Sequence, residues 1–104
     1  MVEKQTKKHL NADKINSEQY LFDKVFERVS SEKIYKSEVK NMVKNSLESE
    51  VDTTIVAYGQ TCAGKTYTLL GVRNAPGFIP CVLKDIFSIS KQEKHRYSFR
   101  VSYI

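Results

Sequence analysis

The most regular apolar pattern in the chain is a helical stripe that follows two serines. Ser30 and Ser31 are candidate N-caps, and Glu32 places a negative charge in the first turn, where the helix dipole favours it. Apolar side chains then recur at helical spacing, with lysines and glutamates between them, at Ile34, Tyr35, Val39, Met42, Val43 and Leu47. We therefore predict an amphipathic helix that ends near Glu50 and exposes its charged face.

Three other segments have the pattern of β-strands. Residues 20–26 and 53–58 are rich in aromatic and β-branched side chains, and residues 97–103 alternate between apolar and polar positions. We expect the aromatic residues of 20–26 to be core residues rather than ligand contacts. Two further helices are predicted, over residues 66–70 and 80–90, with Pro80 at the first helical position of the second.

The remaining segments are predicted to lack regular structure. Residues 72–77 contain asparagine, proline and glycine, which are loop signals. Residues 1–19 are polar, and we expect a flexible segment there with a short strand around Ile15. The order strand, helix, strand, helix, helix, strand in residues 20–104 favours an α/β fold in which helices flank a sheet.

The strongest functional motif lies between a predicted strand and a predicted helix, at residues 59–66 (GQTCAGKT). Its spacing is that of a phosphate-binding loop, G-x-x-x-x-G-K-[ST], in the structural context that this motif requires. Gly59 and Gly64 supply the backbone angles of a tight loop, so that free N–H groups meet a phosphate at the helix N-terminus. Lys65 would reach the β- and γ-phosphates, and the Thr66 hydroxyl would ligate Mg²⁺. The alternative is a glycine-containing turn with an exposed lysine.

Net charge and cysteine content say less about function than the phosphate-loop motif does. The net charge of +5 comes from basic residues interspersed with acidic ones, which is typical of a solvated surface; an acidic polymer partner is the alternative. No stretch approaches a membrane span or a signal peptide. Cys62 and Cys81 form no C-x-x-C pair, so reduced thiols of a cytosolic protein are expected. His9 and His95 have no catalytic partner in view and are predicted to be surface residues.

Several runs, taken together, resemble the kinesin motor domain. They are FDKVF at 22–26, TIVAYGQT at 54–61, GKTYT at 64–68, GFIP at 77–80, DIF at 85–87 and VSY at 101–103. Their order and spacing agree with that family from about residue 20 to residue 104, and the AYGQT run is more specific than the phosphate loop alone. The last stretch is similar to the centromere-associated subfamily.

This resemblance implies a P-loop NTPase-type three-layer sandwich and an ATP-driven microtubule motor. Lys65 and Thr66 would have catalytic roles, with Thr66 as the metal ligand. Tyr67 stands where kinesins often pack a side chain beside the adenine, and a core tyrosine is the alternative. The residues implied to hold the phosphates and Mg²⁺ of MgATP are Gly59, Gln60, Thr61, Cys62, Ala63, Gly64, Lys65 and Thr66.

The resemblance also implies partners and a location. The partners are ATP and tubulin in microtubules, with no nucleic acid and no membrane. The full-length protein would be a cytoplasmic, cytoskeletal protein, for which a homodimer is one candidate assembly.

The chain departs from the family pattern in several places. It contains neither the first switch, N-x-x-S-S-R-S-H, nor the second switch, D-L-A-G-S-E, nor the opening R-x-R-P strand. Glu50 stands where the family usually has a helix-ending glycine, and Cys62 replaces a residue that is often glycine. We expect an incomplete N-terminal part of a motor domain that does not hydrolyse ATP at a motor's rate alone. A truncated, non-enzymatic remnant and a different phosphate-loop protein, such as a small kinase or GTPase, are the alternatives.

Overall fold

The structure is a computed structural model that describes residues 19–92 and 97–104. The predicted strand near Ile15, His9, His95 and nearly all of the predicted flexible segment lie outside the described residues.

A long helix with a π-helical interruption forms one half of the core. It consists of α1 (Ser31–Ile34), a π-helical segment (Tyr35–Val39) and α2 (Lys40–Ser49). Ser30 is the N-cap, since its hydroxyl accepts a hydrogen bond from the Lys33 N–H. The predicted N-cap and the predicted end of the helix near Glu50 are therefore confirmed.

The outer face of this helix carries its charges in solvent, as predicted. Lys36 donates to Glu32 over 2.7 Å, and Lys44 lies 3.5 Å from Glu48, both at a spacing of four residues. The Lys36 contact lowers the pKa of the Glu32 carboxyl and raises that of Lys36 itself. Such exposed pairs add little to the stability of a helix because solvent screens them.

Helix α4 (Phe78–Gln92) forms the other half of the core by packing on α2. Its first residue, Phe78, meets Tyr35 with ring centroids 6.2 Å apart. The buried apolar residues are Tyr35, Val39, Val43 and Phe78, with Ile34, Cys81, Val82 and Ile86 packed against them. Most of the predicted helical stripe therefore points to this core, whereas Met42 is 47% exposed.

A short helix and a hairpin connect the candidate phosphate loop to α4. Helix α3 (Lys65–Leu69) is followed by β1 (Gly71–Val72) and β2 (Ala75–Pro76), which pair antiparallel with Gly71 opposite Pro76. The predicted loop over residues 72–77 is thus wrong, because two-residue strands are too short to show a periodic pattern.

Helix α4 begins two residues earlier than predicted and extends at least to Gln92. Pro80 is its third residue and not its first. The N–H groups of the first helical turn have no intrahelical acceptor. A proline at this position is therefore tolerated, because it removes no hydrogen bond.

The three predicted strands are not strands in this structure. Residues 20–26, 53–58 and 97–103 are extended or irregular, and the hairpin is the only sheet in the described part of the chain. A strand needs a neighbouring backbone to pair with, and the apolar pattern alone cannot supply one. The expectation of core aromatic residues in 20–26 is also wrong here, since Tyr20 and Phe22 are 70% and 73% exposed.

The predicted α/β fold is therefore present only as a helical core with one small hairpin. Across residues 19–92 and 97–104, the helices are too short or too polar to cross a bilayer.

Candidate nucleotide-binding site

The candidate site begins with a loop that bends sharply into helix α3. Gly64 is the residue before the helix and has φ 89° and ψ 14°, a left-handed conformation that favours glycine. A Cβ at this position would meet no other atom within 4 Å. The backbone angle therefore favours glycine here, since there is enough space for a side chain.

The middle of the loop is an exposed turn. It is closed by one backbone bond, from the Ala63 N–H to the Gln60 carbonyl over 3.2 Å, which leaves Thr61 and Cys62 at the tip. The Thr61 side chain is exposed and makes no hydrogen bond with the described residues. The structure thus brings Gln60, Thr61, Cys62 and Ala63 together as one turn before α3, and no side chain of these four is held in a pocket. The contact of these four residues with a phosphate stays a prediction. Because no partner orients the Thr61 hydroxyl, Thr61 could contribute through its backbone N–H.

Helix α3 starts with unpaired backbone donors, as a phosphate-binding loop requires. Among the described residues, no backbone hydrogen bond uses the N–H of Lys65, Thr66 or Tyr67, and no side chain caps this helix end. These free N–H groups are suited to an anionic ligand because the N-terminal end of a helix carries partial positive charge.

The Lys65 side chain folds back over the loop that precedes it. Its ammonium donates to the carbonyl oxygens of Gly59, over 2.7 Å, and Gln60, over 2.6 Å. The side chain is half-buried, and its charge lies beside the backbone of the loop entrance. The predicted lysine is thus brought to the loop, where phosphate oxygens could replace the two carbonyls as acceptors.

Thr66 and Tyr67 are accessible at the start of α3. Thr66 is exposed and its side chain makes no hydrogen bond with the described residues, so its hydroxyl is free to ligate a cation. Tyr67 is 49% exposed, so it is not a core tyrosine in this structure.

The donor set fits Mg²⁺ held jointly by protein and nucleotide. In the part of the chain that the structure describes, no three His, Cys, Asp or Glu side chains cluster into a metal site. A hydroxyl oxygen is a hard ligand of the kind that Mg²⁺ accepts together with water and phosphate oxygens. Thr66 offers such an oxygen, and its role as the metal ligand stays a prediction.

The two cysteines lie in different environments. Cys62 is exposed in the loop and has φ 63°, a left-handed conformation that is unusual for a residue with a side chain. Cys81 is half-buried in α4, and this burial raises the pKa of its thiol. Neither is in a disulfide, so the expectation of free thiols is confirmed.

A polar contact that no sequence pattern signals joins the two halves of the core. The Tyr35 hydroxyl donates to Asp85 Oδ2 over 2.9 Å, and Lys40 Nζ lies 3.5 Å from the same oxygen. The two partners are 50 residues apart, which is why periodicity could not pair them.

Comparisons with known proteins agree with the geometry of the loop. The family profile described as the kinesin motor domain matches residues 1–104. The chloroplastic kinesin-like protein KIN-7M of Arabidopsis thaliana is 41% identical over 87 residues, which are 82% of this chain and 8% of that protein. The kinesin-like protein tea2 of Schizosaccharomyces pombe is 37% identical over 90 residues, which are 84% of this chain and 14% of that protein. This chain thus spans a small share of the length of these curated relatives.

Proposed function

Since this chain belongs to the kinesin motor domain family, we propose that it is the phosphate-binding part of an ATP-driven microtubule motor. The observation that carries the proposal is the start of α3, where Gly64 turns the chain and leaves the next backbone N–H groups free. Lys65 and Thr66 follow at the spacing of a phosphate-binding loop. The family has a P-loop NTPase fold, and we propose that this sequence contributes to its three-layer sandwich.

The groups around the loop have separate roles in binding. The free N–H groups at the start of α3 orient the phosphates, as at other helix N-termini. Lys65 exchanges the carbonyls of Gly59 and Gln60 for phosphate oxygens and places its charge against the β- and γ-phosphates. Thr66 ligates Mg²⁺ through its hydroxyl. The exposed ring of Tyr67 packs beside the adenine.

Phosphoryl transfer needs little covalent chemistry from a protein, and it depends on position and charge. When bound, MgATP supplies the phosphoryl group that is transferred and the cation that neutralises its developing charge. This chain provides the lysine charge, the metal ligand and the fixed backbone donors. The motifs that sense the γ-phosphate and position water in the family are not in this sequence, so hydrolysis and movement are activities of the whole motor.

The proposed partners follow from the family. They are ATP, Mg²⁺ and microtubules of the cytoplasmic cytoskeleton, with a homodimeric full-length protein. One other candidate is a remnant that binds nucleotide without hydrolysing it.

Alkylation of Cys62 tests the loop directly, because this thiol is exposed within it. A Cys81→Ser background of the full-length protein isolates Cys62 from the second thiol of this region. We expect MgATP at ten times its Kd to slow labelling by iodoacetamide about tenfold, in proportion to the unoccupied fraction. MgGTP at the same concentration should protect less, which separates a motor from a GTPase.

A matched pair of lysine variants gives the control. Lys65→Ala should abolish the protection, whereas Lys36→Ala, on the outer face of the long helix, should keep it. Equal labelling with and without MgATP in the unaltered protein would contradict nucleotide binding at this loop. Protection without ATP turnover in the full-length protein would instead favour the non-enzymatic remnant.

A further inference from the structure

Helix α3 carries three residues of the proposed site, yet side-chain burial does little to hold it in place. The helix has only five residues, and none of them is buried. A helix of this length is not stable by itself, so its position must be fixed by its surroundings. The closest packing around it is at its C-terminal end.

Two glycines bring backbone into direct contact at that end. The Gly77 N–H donates to the Leu70 carbonyl over 3.2 Å. A Cβ built on Gly77 would lie 2.5 Å from the Leu69 oxygen and 2.6 Å from the Gly71 nitrogen. A Cβ on Gly71 would lie 2.2 Å from the Gly77 nitrogen and 2.3 Å from the Ala75 oxygen. These are backbone atoms, so no flexible side chain can yield to make room.

The contact ties α3 to the core. Gly77 is buried and immediately precedes Phe78, whose ring packs against the buried ring of Tyr35. Gly71 has φ 75°, so its backbone angle also favours glycine. The C-terminal end of α3 therefore lies beside the N-terminal end of α4, where Phe78 packs against Tyr35 in the core.

Thr66 is five residues before Gly71, a rise of about 7.5 Å along a helix. A shift of α3 at the glycine contact therefore moves Lys65 and Thr66 with it. Functional groups must be held to within about 0.5 Å of their productive geometry. We propose that Gly71 and Gly77 are positioning residues that set the Mg²⁺ ligand Thr66 against the nucleotide. This inference rests on the proposed function of the loop.

Binding of a fluorescent ATP analogue by the full-length protein tests the inference, with Kd measured both in Mg²⁺ and in EDTA. We expect Gly77→Ala and Gly71→Ala to weaken binding about tenfold in Mg²⁺ and to a smaller extent in EDTA, because displacement of Lys65 affects both values whereas displacement of Thr66 affects only the metal-dependent one. A general loss of folded protein would instead lower both affinities equally. Asn74→Ala, in the exposed turn of the same hairpin, is the control and should change neither value.

A milder variant covers the case in which an added methyl group prevents folding. Pro76→Gly adds no atoms but loosens β2 beside the glycine contact, and it should weaken Mg²⁺-dependent binding about twofold or more. Variants that fold and bind as the unaltered protein does, with the same ratio of the two Kd values, would overturn the inference alone. Failure of the unaltered protein to bind MgATP would overturn the proposed function, and the inference with it.

Discussion

At the end of helix α2, Glu50 adopts φ 54° and ψ 32°, a left-handed conformation that glycine reaches without cost. A residue with a Cβ pays roughly 1–2 kcal/mol for this conformation because the Cβ crowds the following carbonyl oxygen. Strain of this kind is therefore present at Glu50. It reduces the stability of the folded state without any compensating hydrogen bond from the Glu50 side chain among the described residues.

Replacing this residue should stabilise the protein. Glu50→Gly removes the strain but adds unfolded-chain entropy of about 0.5–1 kcal/mol, so we expect a net gain of about 0.5–1 kcal/mol in the free energy of unfolding. Urea unfolding of the full-length protein measures this gain. Ser49→Gly, at the last helical residue, is the matched control and should destabilise by about 1 kcal/mol. A loss of stability in Glu50→Gly would contradict the strain.

The placement of the candidate site residues was well predicted where their chemistry is local. A tight loop, a glycine before a helix and a lysine at its start are neighbours in sequence, so spacing alone brings them together. Gly64 and Lys65 lie where the motif predicts. Thr61 shows the limit of this reasoning, because its position in the loop follows from spacing but the direction of its exposed side chain does not. The close contact between Gly71 and Gly77 was not predicted, because two glycines flanking a short segment indicate only a turn.

At the scale of elements, a hydrogen bond adds to the apolar packing of α4 against the long helix. Tyr35 is only 2% exposed, and its hydroxyl donates to Asp85, which also faces Lys40. Burial, followed by the hydrogen bond to Asp85, raises the pKa of the Tyr35 hydroxyl above its ordinary value of 10.0. The neutral hydroxyl is therefore the form that the folded state favours.

Removing this hydroxyl should destabilise the protein in a pH-dependent way. We expect Tyr35→Phe to cost about 1–2 kcal/mol near neutral pH, since Asp85 loses its donor. Because the folded pKa is raised, the contribution of Tyr35 is fully present below the unfolded pKa of about 10 and is lost as the pH rises above it. Urea unfolding from about pH 8 to about pH 11 should therefore show the two proteins converging. Tyr58→Phe, at a 98% exposed position, should have no effect. A constant difference across this range would contradict the pKa shift.

Elements with their own internal hydrogen bonds were predicted best. The long helix shows its apolar stripe directly in the sequence, and its N-cap at Ser30 is where the pattern places it. The hairpin of β1 and β2 escaped prediction because its strands have two residues each. The predicted strands over residues 53–58 and 97–103 failed for a different reason, since their pairing depends on backbone that the pattern does not specify.

At the scale of the whole molecule, the chain is far more extended than a compact domain. Its radius of gyration is 17.9 Å, against about 13 Å for a compact domain of 100 residues. The extended segments also expose large apolar side chains, such as Val56, which is 78% exposed, and Val101, which is 82% exposed. Burial of such side chains against another surface would be favourable, because it removes apolar area from water.

Hydrogen exchange tests whether these segments pair within the proposed sandwich. We expect the amides of residues 53–58 to exchange rapidly in the 104-residue polypeptide, where no strand pairs with them. In the full-length protein they should exchange at least about a hundredfold more slowly, because strand pairing adds several kcal/mol of local protection. Helix α4 should be protected in both and is the internal control. Equal exchange of residues 53–58 in the two proteins would contradict the sandwich.

The π-helical segment lets the long helix hold one residue more than a regular α-helix without changing the face that it buries. The Lys40 N–H bonds to the Tyr35 carbonyl five residues back, so this turn holds one residue more than an α-turn. Deleting one residue within this turn would restore a regular helix, and the residues after it would keep their face because the wider turn absorbs the extra residue. Val43 would then stay on the face that Tyr35 shares with α4. A related helix that lacks the segment should therefore align with this one only through a one-residue gap, although both bury the same face.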